Sequence, residues 1–528
     1  MSSINTGSWK NAIPALKQQL NSFLLLPLLV LASTLYGQAG RPLKREFRGV
    51  WVATVLNLDY PKSPSAWPTA HQEEWRNLLD KLKATGFNAV VAQVRPAADA
   101  FYPSAYAPWS AYLTGKQGLP PSPEYDVLKF MIEEAHERGM DFHAWLNPYR
   151  VSMNLDTAQL SPNQVFYQHR DWVVPYGNRY YLNPGLPQVR QHLSAVVAEI
   201  AGRYDIDGIH FDDYFYPYPV AGTPFPDSLA FEQYGRAQFD TIADWRRYSV
   251  NRLIEMVDST LEKHAPHAEF GVSPFGVWRN RAEDPRGSAT QASIGAYDAL
   301  YADALRWAEE GWIDYLVPQL YWHIGFEIAD HAELQRWWSR HKGKAKLYVG
   351  YAAYKVGRDN MEQWLLPDEL PRQIQLGRSN PDIDGGIFFR AASTLYGDLG
   401  VRDSLQATFA TPALLPAHQH KEGPVPAAPR LRKAKTRRDG TLLKWKFGKG
   451  DRKNRPHYYV VYRFKGNQPV NLDQPEHILH LTHFGTGKRR YKFIDNTTEP
   501  GHTYTYIVTG ISRTHREGPP SKRAEVRR

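Results

Sequence analysis

Cysteine is missing from the whole sequence, and that absence removes disulfides, thiolate metal sites, a cysteine nucleophile and a lipid-bearing lipobox cysteine together. Histidine is present, 19 in all, but never as HExxH or another tight ligand spacing. No metal is therefore expected, although Asp212, Asp213 and His210 form a set that could hold a divalent ion. No glycine-rich phosphate loop follows the first strand-like run, which argues against a doubly wound nucleotide-binding sheet. Nothing in the pattern calls for a cofactor or a nucleic-acid partner. Long apolar runs are also scarce: beyond residues 23–36, no segment could cross a bilayer.

That run (FLLLPLLVLASTLY) follows Lys10 and Lys17, is broken by Pro27 and precedes Gly37-Gln38-Ala39. It falls short of the roughly 20 residues a spanning helix needs. It resembles a secretory signal over residues 1–39, cut near Ala39. The expectation is a soluble periplasmic or extracellular protein with no transmembrane segment after cleavage.

What remains is ordinary folded protein, 42% hydrophobic and 22% charged over 528 residues, long enough for two domains. Charge is unevenly placed. Residues 412–528 hold 25 Lys+Arg against 9 Asp+Glu, a balance of +16, and the rest of the chain carries −6. Two readings stand beside each other: attraction of the tail to an anionic envelope polymer, or a solvated surface that aids solubility.

Strand-like runs at 47–55, 89–95, 141–147, 208–212, 269–274, 315–321, 346–352 and 385–390 alternate with helical patterns such as 72–85, 125–138, 189–204, 240–264 and 297–310. Eight strand–helix units over residues 45–408 predict an α/β fold, a (β/α)8 TIM barrel. Long loops at 96–122, 152–187 and 214–239, rich in Pro, Tyr and Trp, would gather on one rim and shape a cleft. Residues 409–428 read as a Pro/Ala-rich linker. Beyond them, short alternating strands at 442–447, 458–464, 491–496 and 503–512 predict a small all-β sandwich over 429–528. Pro429, Trp445, the Tyr458-Tyr459-Val460-Val461-Tyr462 strand and Tyr504-Thr505-Tyr506-Ile507-Val508 give this segment a resemblance to a fibronectin type III domain.

The chemistry concentrates in Asp207-Gly208-Ile209-His210-Phe211-Asp212-Asp213-Tyr214, an apolar strand that exits into two carboxylates and aromatics. Alternation turns His210 and Asp212 toward the barrel interior and mouth, with Asp213 on the other face unless the strand ends first. The same parity groups His143, Trp145, Asn147 and Tyr149, then Gln93 with Arg95, then Gln319 with Tyr321. Glycoside cleavage ordinarily needs two carboxyls. Asp212 is the leading candidate, with Asp213 and Asp99 to complete it. Asp59, Glu283 and Asp284 are further candidates, and Asp303 is expected inside a helix. Arg95, Asn147, Tyr149, His210, Gln319, Tyr321 and Trp322 would hold sugar.

Arg48-Gly49-Val50-Trp51-Val52-Ala53-Thr54, Gln93-Val94-Arg95-Pro96, Ala144-Trp145-Leu146-Asn147-Pro148-Tyr149-Arg150, the 207–214 stretch and Pro318-Gln319-Leu320-Tyr321-Trp322 together resemble the glycosyl-hydrolase-like 10 family, in order on five strands. The resemblance covers roughly residues 45–408. It implies a secreted TIM-barrel glycosidase with a cell-envelope glycan such as peptidoglycan as substrate. The Gln319-Leu320-Tyr321-Trp322 segment is also similar to chitinase-like barrels, whose DxxDxDxE signature this sequence lacks. A glycan-binding or scaffold protein on the same barrel is the alternative.

Overall fold

Strands buried on both faces read as near-continuous runs of branched and aromatic residues and pair in parallel. Eight do so in the computed structural model, which describes residues 42–528 apart from 419, 422, 448–453, 467 and 486–489. The expected signal segment lies outside the described residues. The strands are β1 (Phe47–Val52), β2 (Ala89–Arg95), β3 (Asp141–Leu146), β4 (Gly208–Phe211), β5 (Glu269–Val272), β6 (Tyr315–Leu316), β7 (Lys346–Tyr351) and β8 (Gly385–Phe388). Each pairs with the next and β8 returns to β1, closing the barrel that the alternation of strands and helices predicts.

Two departures from the predicted elements have local causes. The sixth strand ends at Leu316 because Pro318 has no N–H for the ladder, and Gln319 then rejoins it only as single bridges to Phe275 and Gly350. The expected helix over 297–310 is split into Ala296–Ala299 and Ala304–Glu310, with Tyr301 between them at a φ of 54°. Asp303 is consequently not inside a helix. It caps the second piece by accepting the Arg306 N–H.

The parity argument sorts the core into two regions. Ile209, Phe211, Phe142 and Val90 join the large apolar layer between strands and helices. Phe47, Trp51, Val91, Trp145, Tyr315, Tyr348 and Ile387 fill the barrel interior. Glycine makes room there: a Cβ on Gly271 would lie 1.9 Å from the Tyr315 ring, and one on Gly208 would lie 2.4 Å from His143 Nδ1. The interior of this barrel is therefore aromatic and tightly filled.

After the barrel the chain forms a three-stranded antiparallel sheet (Arg430–Arg437, Gly440–Lys446, Arg490–Asp495) and a four-stranded one (Ile478–His483, Tyr458–Lys465, Thr503–Ile511, Ala524–Arg527). The four-stranded sheet and its flanks meet the base of the barrel, and Leu43–Arg528 form one compact unit. An acidic collar explains the contact: Asp141, Asp207, Glu269 and Asp314 stand at, or one residue before, the starts of β3 to β6. Arg513 Nη1 lies 3.1 Å from Asp207 Oδ1, His515 Nε2 2.9 Å from Asp141 Oδ2, and Lys421 Nζ 3.2 Å from Asp314 Oδ2. Glu269 is met by Lys346 of β7, Nζ to Oε1 2.6 Å. The segment joining the modules takes part: Leu414 bridges to Arg45 and Leu415 enters the apolar interior of the barrel.

Candidate active site

The C-terminal ends of β1 to β4 are joined by one chain of side-chain amides. The Thr54 and Val55 N–H groups, at the exit of β1, donate to Gln93 Oε1 of β2 at 2.9 and 2.8 Å. Two backbone donors fix which end of that amide is oxygen. Gln93 Nε2 must then donate to Asn147 Oδ1, and Asn147 Nδ2, at the exit of β3, donates to Asp212 Oδ2. Arg150 reinforces the same orientation, giving Nη2 to Asn147 Oδ1 at 2.7 Å, Nη1 to the Tyr214 hydroxyl at 2.5 Å and Nε to Pro96 O at 2.7 Å. The Tyr214 hydroxyl also accepts from Asn147 Nδ2 at 3.1 Å, leaving its own proton for Asp212.

Asp212 therefore has one oxygen bound and one, Oδ1, buried without a hydrogen-bond partner. Burial first, and the neighbouring Asp213 second, push its carboxyl up to about 8, against the opposing pull of Arg150. A carboxylic acid that keeps its proton near neutrality, with one oxygen tied down and the other free, is equipped to protonate a leaving group. Asp213 is also raised by burial, but the Tyr218 hydroxyl and the Gln319 amide favour its charged form. The strand ends at Phe211, before alternation can turn Asp213 away. Two adjacent carboxyls thus share the rim, both raised by burial, with Tyr218 and Gln319 opposing the rise at Asp213.

Other expected residues fall in three places. Around the mouth, Tyr321 stands between Tyr354 and Phe389, with ring centroids 5.8 and 6.1 Å away, and Trp322 meets Phe275 edge-on at 5.7 Å. A cleft of about 190 Å³ beside the carboxyls is lined by Tyr176, Tyr181, Tyr214, Pro217 and Tyr218 among others, and a second of about 370 Å³ by Tyr354, Phe389 and Arg390 among others. Below the mouth lie His210, Arg95 and Tyr149, all buried. His210 Nε2 accepts from Trp51 Nε1 at 3.2 Å, which leaves Nδ1 to donate to the Tyr315 hydroxyl at 3.2 Å. Burial holds His210 well below its usual range and neutral. Arg95 donates to the carbonyls of Asn147 and Pro148, because a register shift between Gln93 and Arg95 breaks the alternation. Tyr149 joins the outer apolar layer because β3 stops at Leu146. These three lie beneath the mouth; His210 faces the interior as parity predicts, whereas Arg95 and Tyr149 leave the face that parity assigns them.

The alternative carboxyls are held elsewhere. Asp99 Oδ1 takes the Ala97 N–H at 2.9 Å, and the Ser110 hydroxyl bonds the same carboxyl, so it clasps its own loop after β2. Asp59 is bound by Arg390 Nη1 at 2.7 Å and by the N–H groups of Ala53 and Ala392, which ties β1 to β8. Asp284 pairs with Arg279 and Arg286, and Glu283 bonds Asn280.

The description "Glycosyl hydrolase-like 10" matches residues 46–365. The chain belongs to that family. It is 43% identical over 484 residues, 91% of this chain and 93% of the relative, to "Glycosyl hydrolase YngK" of Bacillus subtilis (strain 168). It is 42% identical over 366 residues, 65% of this chain and 82% of the relative, to "Glycosyl hydrolase DigH" of Escherichia coli (strain K12). Among solved structures, the glycoside hydrolase domain of PgaB (BpsB) from Bordetella bronchiseptica superimposes with a TM-score of 0.46 at 14% identity, covering 70% of this chain and 99% of that one.

In this glycosyl hydrolase-like 10 barrel, the residues that sequence reasoning left without a role are Arg150, Tyr214 and Tyr218. The first two stand inside the motifs that carry the family resemblance, adjacent to residues that were given roles. Tyr218 lies beyond the strand, where no periodicity points. Among the described residues one group has metal-ligand proximity, His136, Asp207 and His457, at the base of the barrel. Arg513 Nη1 lies 3.0 Å from His457 Nε2 and 3.1 Å from Asp207 Oδ1. A fixed cation already stands there, so the group does not fit a second one.

Proposed function

We propose that the protein is a secreted glycoside hydrolase that cleaves a cell-envelope polysaccharide, peptidoglycan glycan strands foremost, with Asp212 as general acid. The observation that carries this reading is the state of Asp212. Asn147 orients it at one oxygen, the other oxygen is buried without a hydrogen-bond partner, and burial with Asp213 beside it raises the carboxyl to about 8, at the C-terminal rim where barrels of this kind place their chemistry. Asp213, favoured in its charged form by Tyr218 and Gln319, serves as the partner carboxylate that supports the developing oxocarbenium ion or activates water. Tyr218, Tyr321 and Trp322 supply flat faces for sugar rings. The envelope location rests on the apolar segment at residues 23–36, and the three- and four-stranded sheets fit a fibronectin type III-like module.

The test is product release from purified peptidoglycan glycan strands, with and without stem peptides, read by mass spectrometry for the protein and for Asp212→Asn. Reducing-end fragments from the parent protein alone support the reading. Retained strand binding with no products from either would replace it with a glycan-binding protein.

A further inference from the structure

The three-stranded sheet of the C-terminal module has one apolar and one basic face. Leu431, Trp445 and Tyr491 are aligned across the strands and face inward, as do Ala434, Leu443 and Phe493. The alternate positions form two cross-strand rows. Arg430, Lys446 and Arg490 are in register, and Lys433, Lys444 and Lys492 make the next row. The register shift between Leu431 and Lys433 adds Arg432 on the exposed edge strand. Neighbouring strands are about 4.8 Å apart and alternate residues about 7 Å apart, so the six cations of the two rows form a regular grid, with Arg432 as a seventh beside it.

Like charges placed directly opposite one another on a sheet destabilise it. No described carboxylate forms an ion pair with any of these side chains, whereas Arg463 and Lys465 of the other sheet have Asp495 and Glu499. Mutual repulsion registers at Lys446, whose ammonium is lowered first by Arg432 and then also by Arg490 and Arg430. The face also does not serve the docking of the module: hydrogen bonds and ion pairs to the barrel come from the four-stranded sheet and its flanks, through His457, Tyr458 and Arg513.

We infer that this face is a docking surface for a linear anionic polymer bearing one phosphodiester or carboxylate per repeat. The chemistry of the face selects that class. Tyr491 and Phe493 point inward, so no aromatic ring is offered to stack bases, as single-stranded nucleic acid binders require. Ile494, 38% exposed, is the large exposed apolar side chain of the sheet, too little to insert into a lipid surface. Regularly spaced cations on a flat sheet suit an extended chain with regularly spaced anions, held by counterion release and not by sequence readout. This inference is independent of the hydrolase reading, because it concerns a face whose described side chains make no hydrogen bond or ion pair with the barrel.

The experiment measures binding of the full chain to poly(glycerol phosphate) and to polygalacturonate, against neutral dextran, over a range of salt. Double-stranded DNA and vesicles containing anionic phosphatidylglycerol form two further arms. Binding to one or both polyanions is expected, with a log–log salt slope of about −4 if six contacts each contribute roughly 0.7. The double variant K444E/K492E should weaken it at least tenfold, while K263E/K522E, with the same change in net charge, should change it less than twofold. Because the reversed charges relieve repulsion, K444E should melt at the same temperature as the parent or higher, which separates lost binding from misfolding. Equal loss in both double variants, no polymer binding at low salt, or tighter ladder-dependent binding to DNA or vesicles would each overturn the assignment. Turnover of a short soluble glycan should be unchanged in K444E/K492E, so failure of the hydrolase reading and failure of this one are read separately.

Discussion

Replacing Asp212 by Asn tests the site through stability as well as activity. The folded carboxyl is raised to about 8, whereas an unfolded aspartate titrates near 3.9. Below that lower value both states hold the proton, and the residue is neutral to folding. Between the two values the unfolded chain gives up its proton while the folded chain keeps it, so stability falls as pH rises and the full cost is reached above the folded value. At about 1.36 kcal/mol per pH unit the ceiling is on the order of 5 kcal/mol, with Asp213 sharing the repulsion that produces it. Asn at 212 can still accept from Asn147 Nδ2 through its carbonyl but cannot ionise. Melting temperatures of the two proteins should therefore agree near pH 3, differ modestly at pH 5 and diverge further toward pH 8, with the variant more stable. The difference between the two curves reports the Asp212–Asp213 pair and cancels the titrating groups that do not interact with it. Activity should fall by about 10²- to 10⁴-fold, the usual contribution of a general acid. A constant melting difference from pH 5 to pH 8 would refute the reasoning, since a carboxyl that titrates normally could not hold the proton the mechanism needs.

Arg150→Met removes the charge that opposes burial at Asp212, so the alkaline limb of the pH–rate profile should move to higher pH, and activity should drop roughly 10- to 100-fold as Asn147 and Tyr214 lose their orienting donor. Tyr218→Phe deletes a donor to Asp213 and should shift the acid limb upward, toward a carboxylate that is harder to ionise, with little change in melting temperature. At the base of the barrel, Lys346→Met leaves Glu269 buried beside a neutral chain and should cost about 3–5 kcal/mol in denaturant unfolding.

The fold was readable because each barrel strand is an unbroken buried run and each major helix carries its period, and those two signals survive without knowledge of partners. Boundaries failed where one residue acts locally: Pro318 cut short β6, and Tyr301 with Asp303 split a helix. The position of Asp212 at the exit of β4 was readable for the same reason as the strand itself. Arg95 and Tyr149 were placed wrongly because parity was carried past the point where the backbone stops alternating, across a register shift in one case and past the end of β3 in the other. The amide chain from Thr54 through Gln93 and Asn147 joins residues from four strands, and no spacing within one segment encodes it. The basic tail was read as a choice between polymer and solvent, yet part of its charge meets the acidic collar at β3 to β6, a use that appears only once both modules are in place.

That collar bears on modularity. An appended binding module on a flexible tether can be removed, exchanged or moved to another enzyme, and the catalytic half goes on working. Here, cutting after the barrel would uncover Asp141, Asp207 and Asp314 together, strip Leu415 from the barrel interior, and leave His136 beside an acid that has lost Arg513 and His457. The C-terminal module is thus the floor of the barrel as well as an appendage to it. A truncated protein that fails would report a missing floor, and only substitutions on the outer face of the sandwich can ask what the module does for itself.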